Sequence, residues 1–161
     1  QPENSHVLTA LFRKFYIAKK FFKGQIEIWG SGSPKREFLH ADDAAYLIVK
    51  LMSTSEKKLS FLFKKNIFHI NIGTGKDYSI RYLVSKIKKI SNYKGRIVFN
   101  KNYPDGVKRK VMNISNMNKI LKCKNKFNEK RFNFQLEKIF KQLTLKHIKK
   151  FEKNSSYNLP F

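Results

Sequence analysis

At 161 residues the chain is long enough for one ordinary domain with its own core, and its single cysteine, Cys123, excludes an intramolecular disulfide and any multi-cysteine metal site. No apolar run approaches the ~20 residues of a membrane span and the opening residues lack a signal-peptide pattern, so no membrane partner and a reducing, cytoplasmic setting are expected. The formal net charge of +24, from 35 Lys and Arg against 11 Asp and Glu, attracts polyanions in general.

In chain order, Val7, Leu8, Leu11, Phe12 and Phe15 recur at helical spacing, which predicts an amphipathic helix over residues 5–20 capped by Ser5. Val7 and Leu11 read as core, and Arg13 and Lys14 as adjacent cations on a wet face. Residues 26–29 read as a strand, after which Gly30 and Gly32 allow a tight turn and Pro34 fixes the exit. Residues 37–39 are expected to form a second short extended piece. Asp42 and Asp43 then open a helix through Ala44, Ala45, Leu47, Ile48, Leu51 and Met52, where capping explains both carboxylates without catalysis. His40, between strand and helix, reads as structural. Residues 53–66 are polar and weakly patterned, hence a surface connection with helix at its ends. Residues 67–72 (IFHINI) form a compact apolar strand, and Gly73-Thr74-Gly75 turns it toward a helix with the stripe Ile80, Leu83, Val84, Ile87 and Ile90, capped by Ser79. Strand, turn and helix succeed one another there as in a parallel α/β unit. Residues 97–99 make another strand, followed by a polar loop over 100–110 with a turn at Pro104-Asp105-Gly106. Ser115 caps a short helix to Leu121. A final amphipathic helix carries Leu136, Ile139, Phe140, Leu143 and Ile148, and residues 154–161 are a loose tail. The class is α/β.

The chain is organised around residues 29–43, WGSGSPKREFLHADD. The Arg36 guanidinium can grip a phosphate or carboxylate through two parallel hydrogen bonds, and the planar Trp29 lies a few residues upstream. Such a loop suits a charged, flat ligand. The stretch resembles the WGxGxPxREFLHxDD segment of the GDP-L-fucose synthases, epimerase/reductases among the extended short-chain dehydrogenases. Upstream, residues 4–11 (NSHVLTAL) are similar to the family's NSHVxPAL. Downstream, residues 69–81 (HINIGTGKDYSIR) resemble HINVGTGxDxTIR, and residues 103–110 (YPDGVKRK) resemble KPDGTPRK. Four matches in one order span most of the chain, and only the last forty or so residues depart from the pattern.

The resemblance implies an NAD(P)-binding Rossmann-like α/β fold in which residues 1–152 form the C-terminal, substrate-binding portion, short strands packed by helices, with 153–161 as tail. It also implies a preceding portion with a glycine-rich dinucleotide loop and a Tyr-x-x-x-Lys pair. Neither occurs here, since the Gly30 and Gly32 pair lacks the third glycine and helix start of a pyrophosphate turn. The chain starts at Gln1 and enters a family motif almost at once, so a missing N-terminal portion is expected. The implied reaction is epimerisation of a GDP-4-keto-6-deoxymannose at two carbons followed by reduction with NADPH, which the missing portion mainly binds. A GDP-sugar substrate, a homodimer of the full-length protein and an inactive isolated fragment follow from the same likeness.

Residue by residue, the resemblance puts His6 at the active site, in contact with the nicotinamide cofactor and acting as acid/base; an imidazole takes and returns a proton near neutrality. The plain alternative is a solvated histidine at a helix end. It assigns Lys14 to the substrate's diphosphate, Trp29 to the nucleotide or sugar, Arg36 and Arg109 to the anionic groups, Lys110 to the nucleotide side and Asp105 to the pocket's edge. No metal site is implied. The family's proline before the arginine is Lys108 here, which bears on loop rigidity and on the aim of Arg109. The Gly73 to Gly75 turn is structural in this reading rather than phosphate-binding. For the assignment to hold, Lys14, Arg36 and Lys110 must converge on one pocket. The rivals are another extended short-chain epimerase or dehydratase acting on UDP- or dTDP-sugars, and a basic nucleic-acid-binding module. Against the second, only six cations are arginines, at 13, 36, 81, 96, 109 and 131, and they do not cluster; the 29 lysines read as compositional drift. Phenylalanines also sit at periodic core positions rather than in RNA-reading clusters.

Overall fold

The computed structural model describes residues 6–21, 23–123 and 126–142. Its elements are α1 (Val7–Lys20), β1 (Gln25–Trp29), β2 (Lys35–Glu37), α2 (Ala41–Met52), α3 (Glu56–Phe63), β3 (Asp77–Ser79), α4 (Ile80–Ser91), β4 (Arg96–Asn100), β5 (Arg109–Lys110), α5 (Ser115–Leu121) and α6 (Glu129–Gln142). Helices and short strands are interspersed along the chain, in keeping with the α/β class. The predicted cap Ser5, the helix positions Leu143 and Ile148, and the tail 153–161 lie outside the described residues.

The main core follows from two periodicities. α1 buries Leu11, Phe12, Phe15 and Ala18 along one stripe, and β1 alternates so that Ile26 and Ile28 point inward while Gln25, Glu27 and Trp29 point out. β1 and β4 pair in parallel, from Gln25↔Arg96 to Trp29↔Asn100. α4 adds Leu83, Val84 and Ile87, and α6 adds Phe132 and Leu136. Phe15, Leu83, Ile87 and Leu136 are essentially solvent-free, each worth about 1.5–3 kcal/mol of burial. As predicted, the Ser79 hydroxyl caps α4 by accepting the Tyr82 N–H at 3.1 Å, and the helix ends on Asn92 in the left-handed conformation, φ 53°.

A second cluster, Leu47, Met117, Cys123 and Phe127, joins α2 to α5. Several expectations need correcting around it. Asp43 is no cap. His40 caps α2, its Nδ1 accepting the Asp42 N–H at 3.2 Å, while Asp43 is 2% exposed and bound to Arg131 and Gln135 of α6. Burial pushes the Asp43 carboxyl up, but the Arg131 and Gln135 hydrogen bonds, with the Arg131 charge and His40, outweigh it and hold the group below the usual carboxylate range. The surface connection 53–66 has its helix in the middle, at α3, rather than at its ends. Residues 67–72 are not a strand, because a ladder needs a neighbour and none runs beside them among the described residues; Ile70 and Ile72 pack on the second cluster instead. The strand before α4 is β3, antiparallel to β2, so no parallel unit forms there. The second extended piece falls at β2, two residues before its expected start, and becomes the centre of a three-stranded sheet in the order β3-β2-β5. Ser115 is the first residue of α5 rather than its cap, and its backbone N–H donates to the Asn113 side chain at 3.0 Å.

Candidate functional site

Two loops 74 residues apart are clasped where β1 and β4 end. The Gly30 N–H donates to the Asn100 carbonyl at 2.8 Å, so both chains leave the sheet side by side. Gly30 and Gly32 have φ of +79° and +76°; a Cβ on Gly30 would lie 2.4 Å from Asp105 Oδ1, and one on Gly32 2.4 Å from the Phe99 ring. Only glycine fits either place. Asp105 accepts from the Ser31 N–H at 2.8 Å, the Ser31 hydroxyl at 2.5 Å and the Ser33 hydroxyl at 3.4 Å. The Ser31 bonds hold its carboxyl below the usual range. Behind the loop, Arg81 donates from Nη2 to the Ser31 carbonyl at 2.6 Å and lays its guanidinium 3.9 Å from the centre of the Phe99 ring.

The clasp gathers most of the residues singled out in the sequence. Trp29 stacks on Tyr103 with ring centres 4.4 Å apart and planes 13° from parallel. Lys14 Nζ lies 5.1 Å from the centre of the Trp29 ring and donates to the Glu27 carbonyl at 2.9 Å. Burial pushes the Lys14 pKa down, against the opposing pull of Glu27. Arg36 donates from Nη1 to the Val107 carbonyl at 2.7 Å, and its register partner on β5 is Lys110, so the two side chains emerge next to each other. The proline missing before Arg109 is made good by the β2–β5 ladder, in which the Lys35 N–H donates to the Lys108 carbonyl at 2.8 Å.

Two residues stand apart. Arg109 turns to the opposite face and pairs through Nε with Asp77 of β3. His6 is the N-cap residue of α1, exposed, its carbonyl accepting the Ala10 N–H at 3.0 Å; eight residues separate it from Lys14, about 12 Å along the axis. The expected shared pocket for Lys14, Arg36 and Lys110 is not what the contacts describe: Lys14 lies at the Trp29 ring, Arg36 lies beside Lys110, and none of the three lines a described cavity. Residues 101–110 are all exposed, and two cavities among the described residues lie elsewhere, around Asp43 and Arg131 and between α3 and α5.

Sequence reasoning passed over Ser31, Tyr103 and Glu37. Glu37 Oε1 accepts the Thr74 N–H, the Thr74 hydroxyl at 3.1 Å and the Gly75 N–H at 2.8 Å, while Oε2 accepts the Met112 N–H at 2.6 Å. The Gly73 to Gly75 turn therefore holds the chain's own carboxylate, which explains its anion-binding look without a phosphate. The available signal was the carboxylate directly after Arg36, on the alternate face of the same strand.

A small α/β chain that presents an aromatic pair and several cations on a two-loop clasp has the makings of a site for an anionic, ring-bearing ligand. Residues 1–73 match the model of the NAD dependent epimerase/dehydratase family. Over 119 residues the chain is 40% identical to the GDP-L-fucose synthase of Escherichia coli (strain K12), covering 74% of this chain and 37% of that protein. Its fold is similar to a GDP-L-fucose synthetase from Naegleria fowleri, with a TM-score of 0.72 and 24% identity over 91% of this chain and 41% of the other. It is also similar to MlghC, a GDP-mannoheptose C4 reductase from Campylobacter jejuni with NADP bound, with a TM-score of 0.67 and 26% identity over 88% and 47%. The chain spans about a third of the length of the curated relatives it matches.

Proposed function

We propose that this chain is the sugar-nucleotide-binding portion of an NADPH-dependent GDP-4-keto-6-deoxymannose epimerase/reductase. The observation that carries it is the clasp: the two segments that most resemble that family, residues 29–43 and 103–110, are brought against each other with Arg36 beside Lys110. The diphosphate's charges must leave bulk water, and each charge-assisted hydrogen bond offsets that by about 1.5–3 kcal/mol. Arg36 and Lys110 take the diphosphate, with Lys14 at the Trp29 end; Asp105 holds the loop through Ser31, and Arg109 acts by fixing β5 to β3. His6 lies at the cofactor side and exchanges the proton in epimerisation. NADPH, held mainly by a portion outside this chain, supplies the hydride.

The full-length protein, read as a cytoplasmic homodimer, is the object to test. In our reading it consumes NADPH when given the keto sugar nucleotide, and Arg36→Ala raises KM about 10- to 100-fold while changing kcat less. A folded full-length protein that turns over no GDP-keto sugar contradicts the proposal. The likeness to the mannoheptose reductase favours one second reading, a C4 reductase that does not epimerise. Product stereochemistry separates the two, since His6→Asn abolishes epimerisation in the first and alters no carbon configuration in the second.

A further inference from the structure

Among the described residues it is Tyr103 that stacks on Trp29, and it stands where the resembling motif has lysine, YPDG against KPDG. Its placement is built rather than incidental. Trp29 ends β1 level with Asn100 of β4, and the chain then folds back, with the Tyr103 N–H reaching the Asn100 carbonyl at 3.4 Å and the Asn102 N–H donating to Asn100 Oδ1 at 3.0 Å. Two residues further on, Asp105 is tied to Ser31. The phenol ring is thus pinned from both sides against the indole, yet Trp29 stays 58% exposed and Tyr103 40% exposed. A pair of large stacked rings left this open, beside Lys14 and within the clasp that carries Arg36, presents apolar area to a ring attached to an anionic group.

We propose that Tyr103 is a specificity-determining residue, which together with Trp29 packs the ring adjoining the diphosphate, base or sugar. The inference rests on the sugar-nucleotide reading above. Where lysine would add a cation for the phosphates, a neutral phenol adds stacking area, so this chain draws more of its selectivity from the ring and less from charge at this place.

Isothermal titration calorimetry reads binding in the full-length protein, where any tryptophan outside these 161 residues would mix with Trp29 in fluorescence. The experiment titrates the full-length protein and its Tyr103→Phe, Tyr103→Ala and Tyr103→Lys variants with pyrophosphate, GDP and GDP-mannose. Tyr103→Phe keeps the wild-type affinities within about twofold, whereas Tyr103→Ala and Tyr103→Lys weaken the ring-bearing ligands about three- to tenfold relative to pyrophosphate. A loss for GDP and GDP-mannose alike assigns the base to the pair, and a loss for GDP-mannose alone assigns the sugar. Equal changes for all three ligands mark a merely structural tyrosine and overturn the inference, as does an unchanged ratio. If the wild type binds pyrophosphate but neither GDP nor GDP-mannose, the sugar-nucleotide reading itself falls and takes this inference with it.

Discussion

Asp43 keeps its charge although almost no solvent reaches it, because Arg131 meets both carboxylate oxygens and Gln135 donates to Oδ2 at 2.6 Å. Its pKa is depressed from the ordinary 3.8, so between the folded and unfolded values the native state binds fewer protons than the unfolded one. The stabilisation is therefore complete above the unfolded value and is lost as pH falls through the folded one. Asp43→Asn is expected to cost about 2–3 kcal/mol at neutral pH, less than for a fully enclosed pair because the Arg131 side chain is 41% exposed, and the deficit shrinks below about pH 4. Urea midpoints between pH 3 and 7 measure it; a constant deficit across that range contradicts the assignment. Glu37 makes the complementary case of a carboxylate with only neutral donors. In Glu37→Gln the amide nitrogen has no lone pair to offer, so either the Met112 N–H or the Thr74 to Gly75 turn loses its acceptor. A loss of about 1–3 kcal/mol follows, with faster hydrogen exchange at the Met112 amide or in that turn as its signature.

At the level of elements, the clasp depends on backbone that only glycine permits. Gly30→Ala sets a methyl against Asp105 Oδ1 and holds alanine at φ +79°, so the Ser31 to Asp105 bonds must open, at an expected cost of about 1–3 kcal/mol. Released from its tie, Tyr103 leaves Trp29, and the indole emission of the variant shifts to the red. An unshifted spectrum would show that Tyr103 is held by the stack itself. The helices α1, α4 and α6 were legible because their apolar residues repeat at one spacing, and β1 and β4 because each is a short apolar run bounded by polar turns. β2, β3 and β5 were less so: each is two or three residues long and polar, as in Lys35-Arg36-Glu37, and exists only through pairing with distant segments. The run 67–72 misled for the converse reason, being apolar enough for a strand yet lacking a neighbour among the described residues. Of the site, Arg36 and Trp29 could be read from residue chemistry and motif, whereas the stack on Tyr103 and the role of Asp105 as a loop tie required knowing that residues 31 and 105 meet.

Over the molecule as a whole, the apolar surface is distributed unevenly. α2 buries Leu47 on one side, but on the other Ala45, Ile48, Val49 and Met52 recur at helical spacing, with Val49 62% and Met52 80% exposed. Phe63 and Phe68, 6.5 Å apart, are exposed as well. Such residues favour self-association of this 161-residue chain in isolation, while its +24 charge opposes it. Salt separates the two forces. At about 0.05 M the repulsion still reaches beyond about 10 Å and keeps copies apart; near 1 M the screening length falls to about 3 Å and apolar contact dominates. Size-exclusion chromatography of the isolated chain is therefore expected to show larger species as salt rises, with 8-anilinonaphthalene sulfonate bound at low salt. Met52→Glu combined with Phe68→Ser should suppress both while leaving the thermal melt nearly unchanged, since neither side chain belongs to a core cluster. Salt-independent monomers from the unaltered chain would show that these apolar residues are too dispersed to join two copies.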